Sequence, residues 1–255
     1  MSIRLSTGLR NALAQGLGYA GALNGGRIEI YSGSQPASAD AAVTGALLGI
    51  VSIGSGALTK ETRASASLTV TGTSGTLSAV TVGTFNITPD LGFIPLVADA
   101  SPSVTAALIA AAINRNGYAE ATSAGAVVTV NLRPGAGVCT LALAATGITC
   151  TGSSFASGVA PVNALYLASP SAGVIGKPVG VVWSFTGLAV GTAGWFRFYG
   201  SNASDTGALI SGAPYYPRVD GAIATSGADL NVSNITIAIA APTTVDTFNM
   251  TIPAQ

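Results

Sequence analysis

The sequence contains no histidine, only two cysteines, few aromatic side chains (6%) and few charges (8%), and each shortage removes a class of function. Without histidine the chain lacks the commonest general base, the commonest zinc ligand and the usual partner of a catalytic serine. Two cysteines, Cys139 and Cys150, exclude a four-cysteine zinc site and a dense disulfide framework. They flank a turn at Ala145, Thr146 and Gly147, and read either as two small buried apolar residues or as a hairpin disulfide. Ten basic and ten acidic side chains balance to zero net charge, so no field draws the protein to nucleic acid or to an anionic membrane. No hydrophobic run reaches the ~20 residues that a membrane span requires. The Ala/Leu-rich stretch around Arg4 and Arg10 is interrupted by Asn11, Gln15, Gly16 and Gly18, poor material for a signal core, so no signal peptide is expected.

What is present is 49% apolar residues and 33 glycines. A low-charge, apolar, glycine-rich surface tends to be covered by other protein, which favours an oligomer or an assembly component. The scarce aromatic mass is concentrated in Gly194 to Tyr199, where Trp195, Arg197 and Tyr199 alternate with Phe196 and Phe198. Strict alternation predicts a half-buried strand with the two Phe rings inward. Gly26 to Tyr31 repeats the pattern, with Ile28 and Ile30 inward and Arg27, Glu29 and Tyr31 outward. The two strands are expected to share one sheet system despite their separation.

Ser6 or Thr7 can cap a short helix from about Gly8 to Gln15, after which glycines end regular structure, so residues 1–23 read as an arm. Such an arm can lie on a neighbouring subunit or along its own domain. Ser32 to Asp40 is a turn-forming tract expected as an exposed loop. From Ser65 the texture changes to thin Thr/Val/Ala/Gly strands, broken by one helix at about 102–115 that starts at Ser101-Pro102 and carries Val104, Leu108, Ala111 and Ala112 as its stripe. Lys60, Glu61 and Arg63 precede this segment and read as a solvated linker. From about Val162 heavier strands resume: Asn163 to Leu167, Val179 to Thr186, Ala222 to Thr225 after a turn at Asp220-Gly221, Asn231 to Ala240, and Thr247 to Ile252 with Phe248, Met250 and Ile252 inward. The predicted fold is mainly β. A β-sandwich or jelly-roll domain of residues 24–53 plus 160–255 is interrupted by a small β-rich domain at 58–157.

The scattered carboxylates form no metal loop and no acid/base couple by spacing, and the glycine stretches carry no phosphate-loop lysine or dinucleotide spacing. No catalytic residue, metal or cofactor is expected, and the chain reads as a non-enzyme. Trp183, Trp195, Tyr215 and Tyr216, flanked by Asn202 and Asp205, have the composition of a sugar-stacking platform. The preferred reading places both Trp in core strands and the Tyr pair in the loop Pro214 to Pro217, a candidate contact with another subunit.

Ser6-Thr7-Gly8-Leu9-Arg10-Asn11-Ala12-Leu13-Ala14, the run from Gly26 to Ala42, Gly194-Trp195-Phe196-Arg197 and Thr225-Ser226-Gly227-Ala228-Asp229-Leu230-Asn231 resemble a family of tailed-bacteriophage virion structural proteins. The middle segment is similar in texture to small β domains inserted into phage tail and surface proteins. The resemblance implies a structural role in the virion, assembled in the bacterial host cytoplasm, with no catalytic residues to carry over. The leading expectation is a capsid decoration or cement protein that bridges subunits of the major capsid protein or other virion proteins and forms a dimer or trimer. The alternative is a tail, baseplate or fibre-associated protein that binds host surface glycan. Contact residues are expected at Leu5, Leu9 and Leu13 in the arm and at Tyr215 and Tyr216 in the loop.

Overall fold

The two alternating runs pair with each other. A computed structural model describes residues 3–14, 16, 18–115, 119–132, 141–152, 155, 158–201 and 216–251. In it Trp195 lies opposite Tyr31, Phe196 opposite Ile30, Arg197 opposite Glu29, Phe198 opposite Ile28 and Tyr199 opposite Arg27, in one antiparallel ladder. The chain is mainly β, 45% strand and 15% helix.

The contacts divide it into two compact units, one of residues 1–61 and 161–255, the other of residues 62–160. In chain order the first unit opens with β1 (Arg4–Leu5), α1 (Thr7–Ala14), α2 (Gly18–Leu23), β2 (Arg27–Ser32) and β3 (Leu47–Ile53). The second holds β4 (Ser65–Val70), β5 (Thr76–Val82), β6 (Phe85–Asn86), β7 (Leu96–Val97), α3 (Pro102–Arg115), β8 (Ala119–Ala124), β9 (Val127–Leu132), β10 (Leu141–Thr146) and β11 (Cys150–Gly152). The first unit then resumes with β12 (Val174–Gly176), β13 (Trp183–Thr186), β14 (Gly191–Tyr199), β15 (Arg218–Ala224), β16 (Leu230–Val232), β17 (Thr236–Ile237) and β18 (Pro242–Thr251).

Seven strands of the first unit close on themselves, in the order β15, β16, β18, β13, β3, β2, β14 and back to β15. Only the joint between β15 and β16 is parallel. The ladder is therefore a barrel-like ring, and β1 covers the part of β15 that β16 does not reach. Every strand of the ring contributes to one buried core: Ile28 and Ile30, Leu48 and Val51, Trp183 and Phe185, Phe196 and Phe198, Val219, Leu230 and Val232, and Val245, Phe248 and Met250. Phe248 is at its aromatic centre, with ring centroids 6.0 Å from Trp183, 5.7 Å from Phe196 and 5.6 Å from Phe198. Leu9, Ala12, Ala22 and Leu23 of the two short helices join the same core.

In the second unit β10, β5 and β6 form one sheet, with β7 on β5, and β11, β4, β9 and β8 another. Its core gathers Leu68, Val70, Leu77, Val80, Val128 and Val130 beneath α3. The helix spans the expected residues but turns a different face inward. It buries Thr105, Ala106, Ile109, Ala110, Ala112 and Ile113, while Val104 and Leu108 are exposed. Ile109 and Ile113, one turn apart, carry more apolar bulk together with the small residues between them than the expected stripe did.

Other expectations also change. Asn163 to Leu167 is not a strand; within it Leu165 makes an isolated bridge, and Val162 just before it makes another. Asp220-Gly221 is no turn but the middle of β15, opposite Arg197 and Phe196. Glycine is needed there because a Cβ at Gly221 would lie 2.7 Å from the Phe196 ring. Asn231 to Ala240 breaks into β16 and β17. The tract after β2 folds back onto protein, with Ala39 fully buried. Glu61 is also buried, and Arg63 pairs with Glu120 at 2.6 Å, so this stretch is no solvated linker. Cys139 and Ile252 lie outside the described residues, and so does any statement on a Cys139 to Cys150 bond.

Phe248→Ala should lower unfolding stability by about 3–5 kcal/mol, as expected for an aromatic residue removed from a packed core. The guanidinium chloride midpoint measures this. A loss below about 1 kcal/mol would mean that the barrel interior is not packed around that ring.

Candidate functional site

The outer face of β2, β14 and β15 should meet solvent, since the inner face carries the aromatic core. It does not. Arg27, Glu29 and Tyr31 of β2, Trp195, Arg197 and Tyr199 of β14, and Arg218 and Asp220 of β15 are all buried. Cross-strand register creates the cluster: Glu29 and Asp220 flank Arg197 from the two neighbouring strands. Arg197 grips Asp220 through two parallel bonds, Nε to Oδ1 at 2.6 Å and Nη2 to Oδ2 at 2.7 Å. Arg27 Nε donates to Glu29 Oε1 at 2.6 Å, and the Tyr31 hydroxyl donates to Glu29 Oε2. Tyr31 stacks on Trp195 with centroids 4.7 Å apart and planes 14° apart, and the Arg27 guanidinium is 4.2 Å from the centre of the Tyr199 ring. Charged groups are placed on aromatic faces and against carboxylates, as removal from water requires.

The cover over this cluster comes from the N-terminal arm and from a strap, residues 33–46. Arg197 Nη1 donates to the Ala41 carbonyl at 2.9 Å, and Arg4 donates to the Pro36 carbonyl. β1 pairs Arg4 with Asp220 and Leu5 with Val219. Ser6 caps α1, accepting the Leu9 N–H at 3.1 Å. It also ties the arm to the start of β15: its N–H donates to the Arg218 carbonyl at 3.0 Å, its hydroxyl accepts the Arg218 N–H at 2.9 Å, and the hydroxyl donates to the Tyr216 carbonyl at 2.9 Å. The Asp40 carboxylate accepts the Thr7 N–H at 2.9 Å and the Thr7 hydroxyl at 2.7 Å, a negative charge at the start of a helix. Arm and strap leave between them an open cleft of about 410 Å³ lined by Arg4, Leu5, Arg10 and Ala37 to Ala39.

Burial acts on this cluster's protons. Burial first, and then the neighbouring Glu29 carboxylate, raises the pKa of Tyr31 far above the ordinary 10.0; the same two causes raise Tyr199. Burial pulls the pKa of Arg197 down, but the Asp220 carboxylate more than offsets it and raises the guanidinium. Burial also raises Asp220, against the pull of Arg197. The pair is ionised nonetheless, because arginine does not give up its proton in proteins and its two short bonds require a carboxylate as acceptor.

The arm therefore lies along its own domain. Leu9 is fully buried in the core, and Leu5 and Leu13 are partly buried against it, so Leu9 is not an outward contact in this arrangement. Tyr216 is half-buried beside the arm, with its ring 5.8 Å from the Arg218 guanidinium, while Tyr215, Asn202 and Asp205 lie outside the described residues. The arm thus meets Tyr216, the described residue of the expected loop pair, within one chain. Trp183 and Trp195 are fully buried in β13 and β14, so neither ring is open to a sugar. Among the described residues no cluster of three Cys, Asp or Glu side chains is arranged to hold a metal, and no helix is long and apolar enough to cross a membrane. The charge cluster itself escaped the sequence reading, although one signal pointed to it. Arg27, Glu29, Arg197, Arg218 and Asp220, a quarter of all charges in a charge-poor chain, sit on three strands, of which β2 and β14 also carry five of its aromatic residues.

The exposed large apolar residues lie elsewhere. In the first unit Leu188, Val190 and Ile239 are 54, 72 and 64% exposed, on two turns joined by hydrogen bonds between Gly187 and Ala240 and Ala241. In the second, Phe93 and Ile94 are 89 and 80% exposed, beside Val97 of β7 and with Val104 and Leu108 of α3 also outward. No protein family, curated protein or solved structure matches the chain.

Two outcomes follow from this geometry. Arg197→Met leaves Asp220 buried without its partner and should cost about 3–5 kcal/mol, whereas the double variant Arg197→Met/Asp220→Leu should recover most of that loss; a denaturation cycle in which the double variant is no better than the single one would remove the ion pair from the explanation. The alkaline limb follows from the tyrosines. Their folded pKa values are raised, so stability is intact below pH 10 and falls above it, as unfolded chains release protons that the folded state retains. Tyr31→Phe should remove about 1.4 kcal/mol per pH unit from that slope, measured by urea unfolding between pH 9.5 and 11.5, and an unchanged slope would show that Tyr31 ionises freely.

Proposed function

We propose that this chain is a non-enzymatic structural protein of a bacteriophage virion, acting as a capsid decoration or cement protein. The observation that carries the reading is where the charge goes. At least six of the ten basic and ten acidic side chains are buried: Arg27, Glu29, Glu61, Arg197, Arg218 and Asp220. The outer surface is left with still fewer charges than the composition implied, while aliphatic and aromatic side chains project from turns in both units. Such a surface is poorly suited to life as a free monomer and well suited to being covered by other protein. Cementing needs no single dominant contact, because many modest apolar contacts to the major capsid protein or other virion proteins add through avidity within a shell.

The particle itself decides. Quantitative mass spectrometry of purified virions should give this chain in a ratio to the major capsid protein near one or a simple fraction of it. A handful of copies per particle would overturn the decoration reading and place the protein on the tail or a fibre.

A further inference from the structure

We propose that the N-terminal arm, β1 with α1, is exchangeable between copies, so that the slot it fills accepts the arm of a second copy of the same chain. The arm is held by contacts to residues distant in sequence. β1 pairs with Val219 and Asp220, the Ser6 bonds reach Arg218 and Tyr216, Thr7 bonds Asp40, and Leu9 and Ala12 fill the barrel core. None of these contacts depends on which copy supplies the arm. The slot is also incomplete without one. β15 joins β16 only at Ile223 and Ala224, so on that side Val219 and Asp220 have β1 as their strand partner. An empty slot would expose an unpaired edge and an apolar hole, the usual templates for strand addition.

The link between the arm and the rest of the domain carries two glycines. Gly16, between α1 and α2, and Gly18, the first residue of α2, both have positive φ, 81° and 68°, and neither has a neighbouring group within 4 Å of where a Cβ would stand. The closed arrangement thus uses two left-handed glycines, and leaving it costs the bond from the Gly16 N–H to the Leu13 carbonyl at 3.0 Å. Reciprocal exchange between two copies is a two-fold, self-complementary arrangement; non-reciprocal exchange propagates from copy to copy. Intramolecular closure has the advantage of high effective concentration, so exchange is favoured where copies are crowded. The proposal does not rest on the virion reading, since it is tested on the purified protein alone.

Leu5 and Val219 are direct cross-strand partners, which makes the test specific. In a full-length chain carrying Cys139→Ser and Cys150→Ser, Leu5→Cys and Val219→Cys are made as two separate proteins with different tags. They are mixed at high concentration in mild urea, returned to buffer and oxidised. Arm exchange is expected to give a mixed disulfide carrying both tags, with a yield that rises with concentration. The two substitutions in one chain form the control for geometry. If that chain closes its internal disulfide while the mixture gives no mixed product at any concentration, the proposal is overturned. Gly16→Ala/Gly18→Ala supplies a second readout. Alanine strains only the closed turn, so the mixed product should increase about tenfold or more at limiting concentration; an unchanged or smaller yield would count against the hinge and the exchange.

Discussion

The pairing of Arg197 with Asp220 is the constraint on which the first unit depends. β14 must lie between β2 and β15 for the ring to close, and β14 carries a guanidinium that cannot be neutralised by losing its proton. Asp220 on β15 and Glu29 on β2 stand opposite that residue, so the register that aligns the charges is also the register that turns Phe196 and Phe198 inward. A slip of one residue would bury Arg197 in the aromatic core and send Phe196 and Phe198 to the charged face. Apolar packing supplies the driving force for closure, while the ion pair makes one register far cheaper than its neighbours. This use of a buried pair concerns specificity more than stability, since hydrophobic residues of similar volume could fill the same space at equal or lower cost.

The same pair explains why the arm and strap are ordered parts of the domain. Charges left half-wet on the outside of a barrel would need only water. Here Arg197 also donates to the Ala41 carbonyl and Arg4 to that of Pro36, so the polar cluster serves as a dry docking surface for segments whose own sequences are too glycine- and serine-rich to build a core. Order in residues 33–46 comes from hydrogen bonds to the cluster and to the arm, with little apolar burial beyond Pro36 and Ala39.

This also marks what was legible in the sequence. The alternation in Gly26 to Tyr31 and Gly194 to Tyr199 identified two strands, their inward faces and their membership of one sheet system, because a period of two over large side chains is a local signal. Burial of the opposite face was not local. It depends on segments that arrive from residues 4–7 and 36–41, and nothing in Arg27, Glu29 or Arg197 themselves announces a cover. Asp220-Gly221 misleads for a related reason: a dipeptide that favours turns supplies there a charge for Arg197 and the lack of a Cβ against Phe196. α3 was located by its proline start, yet its inward face was misjudged, since among Val, Leu, Ile and Ala at helical spacing several stripes compete and tertiary packing chooses. Closure into a ring was beyond reach of any pattern, because it rests on β14 meeting β15 and β15 meeting β16 over just two residues.

The position of the inserted segment follows from the ring as well. β3 and β13 are neighbours in it, pairing Ile53 with Trp183, so residues 54–182, which include the second unit at 62–160, occupy what would otherwise be the tip of a hairpin. The chain is clamped on both sides of the departure point: Gly54 N–H donates to the Val182 carbonyl at 2.9 Å, Ile53 N–H to that of Asn163 at 2.9 Å, and Thr59 and Val162 bridge in both directions. With the ends already fixed side by side, the entropy of closing the loop grows only slowly with what lies between them, and a unit with its own core adds contacts that offset even that. A hairpin tip secured in this way tolerates a domain of almost any size. The barrel, its charged seam and its arm can therefore be retained while the inserted unit changes, which separates the part of the protein that must keep its register from the part free to acquire a new surface.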